Sequence, residues 1–309
     1  MTEKKRILLI YPPSPVMNRE DRCQQPTKDL IVIPPLPPTD LMYLASVAEQ
    51  IGFEAKIEDY SQGGDLEYDL REFRPDYLVV NIATPTLEND LDAVKRAKEL
   101  NPHIVTIAKG AAFLTLGEKI LNEHDFLDFG ILGEAEDTLK EILEGRDKSE
   151  ILGIYYCENG EVKFGGKRPF IEDLDRLPFP ARHLVDNNIY RRPDNNKVQA
   201  TIKVERGCPF HCFFCLATPV SGAKVRRRSA ENIVAEIKEC VEKYNIRNFL
   251  FWSDIFNLDK EWTLNLCQAI IDSGLKITWS ANTRADTADL EMAKLMYKSG
   301  CRLVSIGVE

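Results

Sequence analysis

The sequence predicts an α/β protein: a doubly wound parallel sheet followed by a partial (β/α) barrel. Two observations carry this. Short apolar runs alternate with amphipathic helical periods, once over residues 1–145 and again over residues 200–309. Between the two series, residues 146–199 hold turns, prolines and one Asn-Gly hairpin signal, as a linker would. A chain of 309 residues has room for about two such domains. Its 44% hydrophobic and 29% charged residues are those of an ordinary globular protein, so no disordered tail needs to be invoked.

In the first series, Arg6–Tyr11 is the continuous apolar run of a buried parallel strand. After a proline-rich loop from Pro12 to Pro38, Thr39 is expected to cap a helix reaching about Gln50. Leu41, Leu44, Ala45 and Ala48 share one of its faces, and Gly52 stops it. Phe53–Glu58 is the next strand. Then come strand Tyr77–Ile82, helix Leu87–Leu100, strand Ile104–Ala108, helix Leu114–Asn122, strand Phe126–Ile131 and helix Glu136–Leu143. Strands alternating with helices form a parallel sheet covered on both faces, with ligands held beyond the carboxyl ends of the strands. The loops there are Tyr11–Pro15, Thr84–Thr86, Lys109–Ala112 and Gly133–Glu136. None is a dinucleotide fingerprint or a phosphate-cradling loop, which favours a ligand other than a nucleotide.

Ile154–Cys157 and Val162–Phe164 flank Asn159-Gly160 as a hairpin. The second series opens with strand Ala200–Val204. Ser229 caps a helix whose Ile233, Ile237, Cys240, Val241 and Tyr244 share a face. Strand Asn248–Trp252, helix Glu261–Ser273, strand Ile277–Ala281, helix Thr287–Ser299 and strand Leu303–Val308 complete four barrel-like units, whose working loops lie at the carboxyl ends of the strands.

A formal charge of -9 argues against a nucleic-acid partner. Arg226–Arg228 is the one dense basic run, either a solvated loop before a helix or a turn that meets carboxylate or phosphate. No stretch approaches the ~20 apolar residues of a membrane span, and the N-terminus runs straight into a strand. A cytoplasmic protein is expected, with its eight cysteines reduced or metal-bound. Cys23, Cys157, Cys240, Cys267 and Cys301 are scattered and read as small buried apolar residues.

Cys208, Cys212 and Cys215 are different. Thiols spaced in this way on a loop after a strand can hold three irons of a four-iron cluster and leave the fourth open. A structural zinc site is the alternative, but it needs a fourth ligand, and no second Cys-x-x-Cys exists. His211, between two of the cysteines, is awkwardly placed to be one.

This motif, with Phe214 before its third cysteine, resembles the radical S-adenosylmethionine (radical SAM) superfamily. The resemblance implies a 4Fe-4S cluster on Cys208, Cys212 and Cys215. Its open iron would chelate S-adenosylmethionine, which the cluster cleaves reductively to methionine and a 5′-deoxyadenosyl radical. It further implies S-adenosylmethionine contacts at Phe214, Ser253, Asp254, Asn282, Arg284 and Glu309. Asp254 also reads as a helix cap, and Asn282 and Arg284 as solvated loop residues. Pro35–Pro38 with Leu41–Ala45, Thr84–Thr86, Gly130–Leu139 and Leu174–Pro180 resemble the cobalamin-binding domain and linker that precede many radical SAM cores. That implies cobalamin held by Thr84, Thr86, Gly110, Ala111, Gly133 and Glu134. The Asp-x-His-x-x-Gly signature that gives cobalt a histidine is absent, as is common in this branch.

The function implied is methyl transfer to an unactivated carbon of a small-molecule or lipid-like substrate. Electrons would come from a reductant such as flavodoxin or ferredoxin. Radical cyclisation, oxidation or rearrangement is the enzymatic alternative, and a non-catalytic iron–sulfur module the non-enzymatic one. The core of the superfamily resembles six strand–helix units against four in this chain, so a truncated chain is expected.

Overall fold

The structure is a computed structural model that describes residues 4–14, 17–19, 25–26, 36–192, 194–287 and 289–307. It divides into two compact units, one comprising Met1–Ile31, Pro38–Ile171 and Pro178–Val185, the other Val32–Pro37, Glu172–Leu177 and Asp186–Glu309.

The first unit runs β1 (Arg6–Tyr11), the short β2 (Met17–Asn18) and β3 (Gln25–Pro26), α1 (Thr39–Gln50), β4 (Glu54–Asp59), α2 (Leu66–Phe73), β5 (Tyr77–Asn81), α3 (Leu87–Leu100), β6 (Val105–Lys109), α4 (Phe113–Glu123), β7 (Phe129–Ile131), α5 (Glu136–Leu143), β8 (Ile154–Glu158) and β9 (Glu161–Phe164). Its sheet has the order β4-β1-β5-β6-β7-β8-β9, parallel as far as β7 and antiparallel beyond it. Strand order reverses between β1 and β5, where the loops of a doubly wound sheet diverge. Strand β1 shows why both faces are covered. Ile7 and Leu9 join a core with α1 and α5, Leu8 and Ile10 a core with α2, α3 and α4, and all four are fully buried.

Three local expectations change. Thr39 does not cap α1: Pro38 holds the N-cap position, its ring setting φ at −72°, and Thr39 is the buried first helical residue. Helix α2 was not anticipated: it is only eight residues long, buries Leu66, Asp69 and Leu70 and packs Phe73 against the same core, and Asp65 caps it by accepting from the Glu67 and Tyr68 N–H groups. The hairpin β8–β9 extends the sheet, with Tyr155 stacked on Phe113 at 6.1 Å and on Phe164 at 4.6 Å.

The second unit runs β10 (Gln199–Lys203), β11 (Glu205–Arg206), α6 (Ala217–Ser221), β12 (Arg226–Arg227), α7 (Ala230–Tyr244), β13 (Asn248–Trp252), α8 (Lys260–Asp272), β14 (Thr278–Arg284), α9 (Leu290–Lys298) and β15 (Cys301–Gly307). Strands β10-β13-β14-β15 form a parallel sheet in sequence order. Stacked Phe251 and Trp279 (4.7 Å) and Phe256 centre its core. Ser229 caps α7 as expected, accepting from the Asn232 N–H at 3.1 Å. Cys240, Cys267 and Cys301 are buried; Cys157 is exposed on the hairpin, contrary to expectation, and Cys23 lies outside the described residues. Among the described residues no helix is long and apolar enough to cross a membrane.

Candidate functional site

The three-cysteine segment leaves the carboxyl end of β10 and is closed at its base. Strands β11 and β12 pair antiparallel, Glu205 opposite Arg227 and Arg206 opposite Arg226, and the Cys208 N–H donates to the Gly222 carbonyl at 3.0 Å. Gly207 sits at φ +102°, where a Cβ would stand 2.2 Å from the Lys224 carbonyl oxygen, so only glycine fits the stem. Within the loop, the Cys215 N–H donates to the Cys212 carbonyl at 3.0 Å and the Ala217 N–H to the Cys215 Sγ at 3.4 Å. The Thr218 hydroxyl lies 3.1 Å from the Cys208 carbonyl and 2.9 Å from that of Phe210.

The Arg226–Arg228 run is not a solvated loop, and the carboxylates it meets are the protein's own. Arg226 and Arg228 are buried. Arg226 donates to the Ser221 carbonyl at 2.7 Å, Arg227 pairs with Glu205 at 3.0 Å and Asp259 at 3.4 Å, and Arg228 pairs with Glu236. The guanidinium groups brace the stem of the cysteine loop.

Cys208 is buried, and Cys212 and Cys215 are half-buried; none is joined in a disulfide. Phe213 is 98% and Phe214 63% exposed, their rings edge to face at 5.5 Å. Three thiols from one short loop suit a cluster bound through three irons better than a closed zinc site, which requires four ligands. Among the described residues no three His, Cys, Asp or Glu side chains stand close enough to hold a single metal ion, so the thiols share a loop without being gathered to a point.

Of the predicted S-adenosylmethionine residues, Phe214 lies on this loop, Ser253 and Asp254 lead into the segment that packs on it, and Arg284 meets Phe210. Ile255 and Leu258, just past β13, pack with Cys208, Phe210, Cys215 and Ala217. Ser253 is buried, and its hydroxyl has no hydrogen-bond partner among the described residues. Such an orphan calls for an explanation, and a bound polar ligand supplies one. Asp254 is half-buried next to it, and the cap of α8 is Asp259, not Asp254. The Asn282 carbonyl accepts the Phe256 N–H at 2.9 Å. Arg284 chelates Asp286 through two bonds, 3.0 and 2.7 Å, and its hydrogen bonds hold the Asp286 carboxyl below the usual carboxylate range. The Arg284 guanidinium also lies 4.3 Å from the centre of the Phe210 ring. Glu309 falls outside the described residues.

In the first unit, the carboxyl edge of the sheet carries the other predicted set. Thr84 is exposed, while the Thr86 hydroxyl donates to Asp90 at 2.8 Å. Asp90 also accepts from the Ala83 N–H at 2.9 Å and from Arg19 at 2.8 and 2.9 Å, and Arg19 donates in addition to the Asn81 carbonyl at 3.1 Å. Gly110 is required by packing: a Cβ there would stand 2.2 Å from the Ile82 carbonyl oxygen. Ala111 is buried and Gly133 exposed; the Glu134 carboxylate accepts the Ile171 N–H at 2.7 Å. Buried Lys109 is paired with Asp40 at 3.3 Å.

Sequence reasoning missed Asn81. It ends β5 opposite Lys109, on the face of Val79 and α1, fully buried, and neither atom of its carboxamide has a partner among the described residues. The available signal was an asparagine closing the run Tyr77-Leu-Val-Val-Asn81, where strand propensity disfavours it. An unsatisfied carboxamide at this edge fits a ligand rich in amides, as a corrinoid is. His103 and His124 precede β6 and β7, at the opposite, amino end. His183, expected outside this domain, belongs to the unit and meets Glu49 at 2.8 Å near the far end of α1.

Comparison with known proteins agrees with both halves. Residues 34–143 match the B12 binding domain family and residues 202–309 the radical SAM superfamily. An uncharacterized methyltransferase of Pyrococcus horikoshii is 29% identical over 301 residues, 91% of this chain and 65% of that protein. The anaerobic magnesium-protoporphyrin IX monomethyl ester cyclase of Rubrivivax gelatinosus is 27% identical over 288 residues, 88% of this chain and 52% of the cyclase. The chain thus spans between about half and two thirds of the length of these relatives. The fold matches TsrM, a radical S-adenosylmethionine methyltransferase of Kitasatospora setae solved with tryptophan and a SAM analog bound. The TM-score is 0.76 and the identity 19%, over 98% of this chain and 59% of that one. The chain belongs to the radical SAM superfamily and carries a B12-binding domain ahead of the radical SAM core.

Proposed function

We propose, from that membership, that the chain is part of a cobalamin-dependent radical SAM methyltransferase that methylates an unactivated carbon of a small-molecule or lipid-like substrate. The observation that carries this reading is the braced loop of Cys208, Cys212 and Cys215 at the carboxyl end of β10, in one chain with a sheet domain whose carboxyl edge holds the unsatisfied Asn81. When bound, the cluster and S-adenosylmethionine supply a hydrogen-abstracting 5′-deoxyadenosyl radical, and cobalamin supplies the methyl carrier.

The residues divide the work. Cys208, Cys212 and Cys215 hold the irons, and Phe214 offers an exposed ring edge to an adenine. The Ser253 hydroxyl and the Asp254 carboxylate are acceptors for the methionyl ammonium, with Asn282 and Glu309 as further contacts. Thr84, Ala111, Gly133 and Asn81 face the corrinoid, while Gly110 and Thr86 keep the edge in shape. A flavodoxin or ferredoxin supplies electrons, in the cytoplasm, where thiols stay reduced.

Anaerobic reconstitution with iron and sulfide should give a brown protein whose reduced paramagnetic spectrum changes when S-adenosylmethionine is added. Tetrahedral zinc with no iron uptake would refute the reading. Hydroxocobalamin should bind, and the cobalt(II) form should show no nitrogen splitting from a protein imidazole, because no histidine of the first unit lies at the carboxyl edge. A second reading keeps the same cofactors but closes a ring, as the similarity to the cyclase of Rubrivivax gelatinosus allows. Product carrying the deuterated methyl group of labelled S-adenosylmethionine decides for methyl transfer.

A further inference from the structure

Arg284 sits at the end of β14, far in sequence from the cysteine loop, yet it reaches into it. Its backbone is fixed first. The Arg284 N–H donates to the Asn257 side-chain oxygen at 3.1 Å, and the Asn257 amide donates to the Arg284 carbonyl at 3.1 Å. Asn257 is itself buried, and the Thr287 hydroxyl adds a bond to the same carbonyl at 3.1 Å. The guanidinium is then held in plane by two bonds to Asp286. What it presents is a flat cation 4.3 Å from the Phe210 ring centre, within cation–π range.

Phe210 lies between Cys208 and Cys212. Its carbonyl is tied to Thr218, and its ring packs with Cys208, Ala217 and Ile255. A ring packed on apolar neighbours and facing a fixed cation is biased toward one position, which narrows the freedom of the chain between the first two thiols.

We infer that Arg284 is a positioning residue for the iron ligands: clamped by Asp286 and Asn257, it stacks on Phe210 and so sets the course of the loop between Cys208 and Cys212. The inference rests on the reading of these cysteines as cluster ligands, but its geometry belongs to the protein alone. A contact of this type carries a factor of about 2 to 5 in an equilibrium. Arg284→Lys keeps the charge but loses the planar, two-bonded fork, so it behaves like a loss variant rather than a conservative one.

The test uses the full chain in two states. In the iron-free protein, mass spectrometry follows alkylation of Cys212 and Cys215 by iodoacetamide. Arg284→Gln, Arg284→Lys and Phe210→Leu should each raise those rates about 2- to 5-fold, and the Arg284→Gln/Phe210→Leu double variant no further, because both break one contact. In the reconstituted protein, the same variants should lose iron to a chelator faster by a similar factor. Alkylation of Cys240 and Cys267, buried in the same unit, is the internal control for intact folding and should stay slow.

Unchanged alkylation rates in Arg284→Gln would overturn the inference whether or not iron binds. Normal loop rates combined with a weakened spectral response to S-adenosylmethionine would overturn it in favour of a direct contact with that molecule. Failure of the wild-type chain to take up iron, with alkylation still accelerated in the variants, would sink the cluster reading and leave the clamp standing.

Discussion

The carboxyl edge of the first sheet and the cysteine loop of the second unit treat their polar groups in opposite ways. At the sheet edge the charges are buried and matched: Arg19 with Asp90, their side chains 1% and 0% exposed, and Lys109 with Asp40. One neutral carboxamide, that of Asn81, is left over. Around the cysteine loop the charges are matched as well, but they lie in the stem, in Arg226–Arg228 and their carboxylates, while the tip shows Phe213 and Phe214 to solvent. The first region is a shaped floor in which, among the described residues, the Asn81 carboxamide has neither of its atoms satisfied. The second is a rigid frame around a tip that only a ligand can complete, since thiolate coordination contributes free energy that no protein contact replaces.

The strongest way to break that contrast is at the tip. Cys212→Ala should abolish the cluster absorbance and bring iron down to background after reconstitution, because two thiolates underligate the cluster. Thermal unfolding of the iron-free variant should match that of the iron-free wild type. A variant that keeps full iron would show that the loop is not the ligand site.

At the floor, Asp90→Ala should destabilise the first unit by about 3 to 5 kcal/mol by leaving Arg19 buried without its partner, whereas Arg19→Met together with Asp90→Leu should cost far less. Chemical denaturation followed by circular dichroism measures both. Equal losses in the single and double variants would mean that the pair is not what fastens the loop after β1.

Asn81→Leu sharpens the contrast further, because an unsatisfied buried amide replaced by an apolar group of similar shape should leave stability within about 1 kcal/mol of wild type or raise it. Hydroxocobalamin affinity, followed by absorbance, should nevertheless fall. A large loss of stability with unchanged corrinoid binding would assign Asn81 to the fold instead.

The smallest effect is in the barrel core, where burial pushes the thiols of Cys267 and Cys301 up from 9.0 to about 11. The folded state therefore holds these protons more tightly than the unfolded one. The stability they contribute is fully present below pH 9 and is lost as the pH rises towards about 11, because the unfolded chain releases its protons first. Denaturation midpoints measured across that window should decline less steeply in a Cys267→Ala variant, with Cys301 still contributing.

The arrangement of strands and helices was legible because a parallel strand buried on both faces must be an unbroken apolar run, and because helices interrupt such runs at a period that polar residues cannot hide. Arg6–Tyr11, Leu87–Leu100 and Asn248–Trp252 were read to the residue for that reason. Helix α2 was not, since its apolar face, Leu66, Leu70 and Phe73, spans only two turns. The cysteine spacing was legible because ligands to one cluster must sit close in sequence on a loop.

What only the tertiary structure decided were the pairings between distant residues. That Arg226–Arg228 brace a stem, that Arg19 meets Asp90, that Arg284 lies on Phe210, and that the Asn81 carboxamide has no partner among the described residues are outcomes of which side chains share a buried volume. Local sequence sets the type of each residue, but the cost of burying a charge or an amide is settled by a distant partner, as Asp90 is for Arg19, and that partner is chosen by the packing of the sheet.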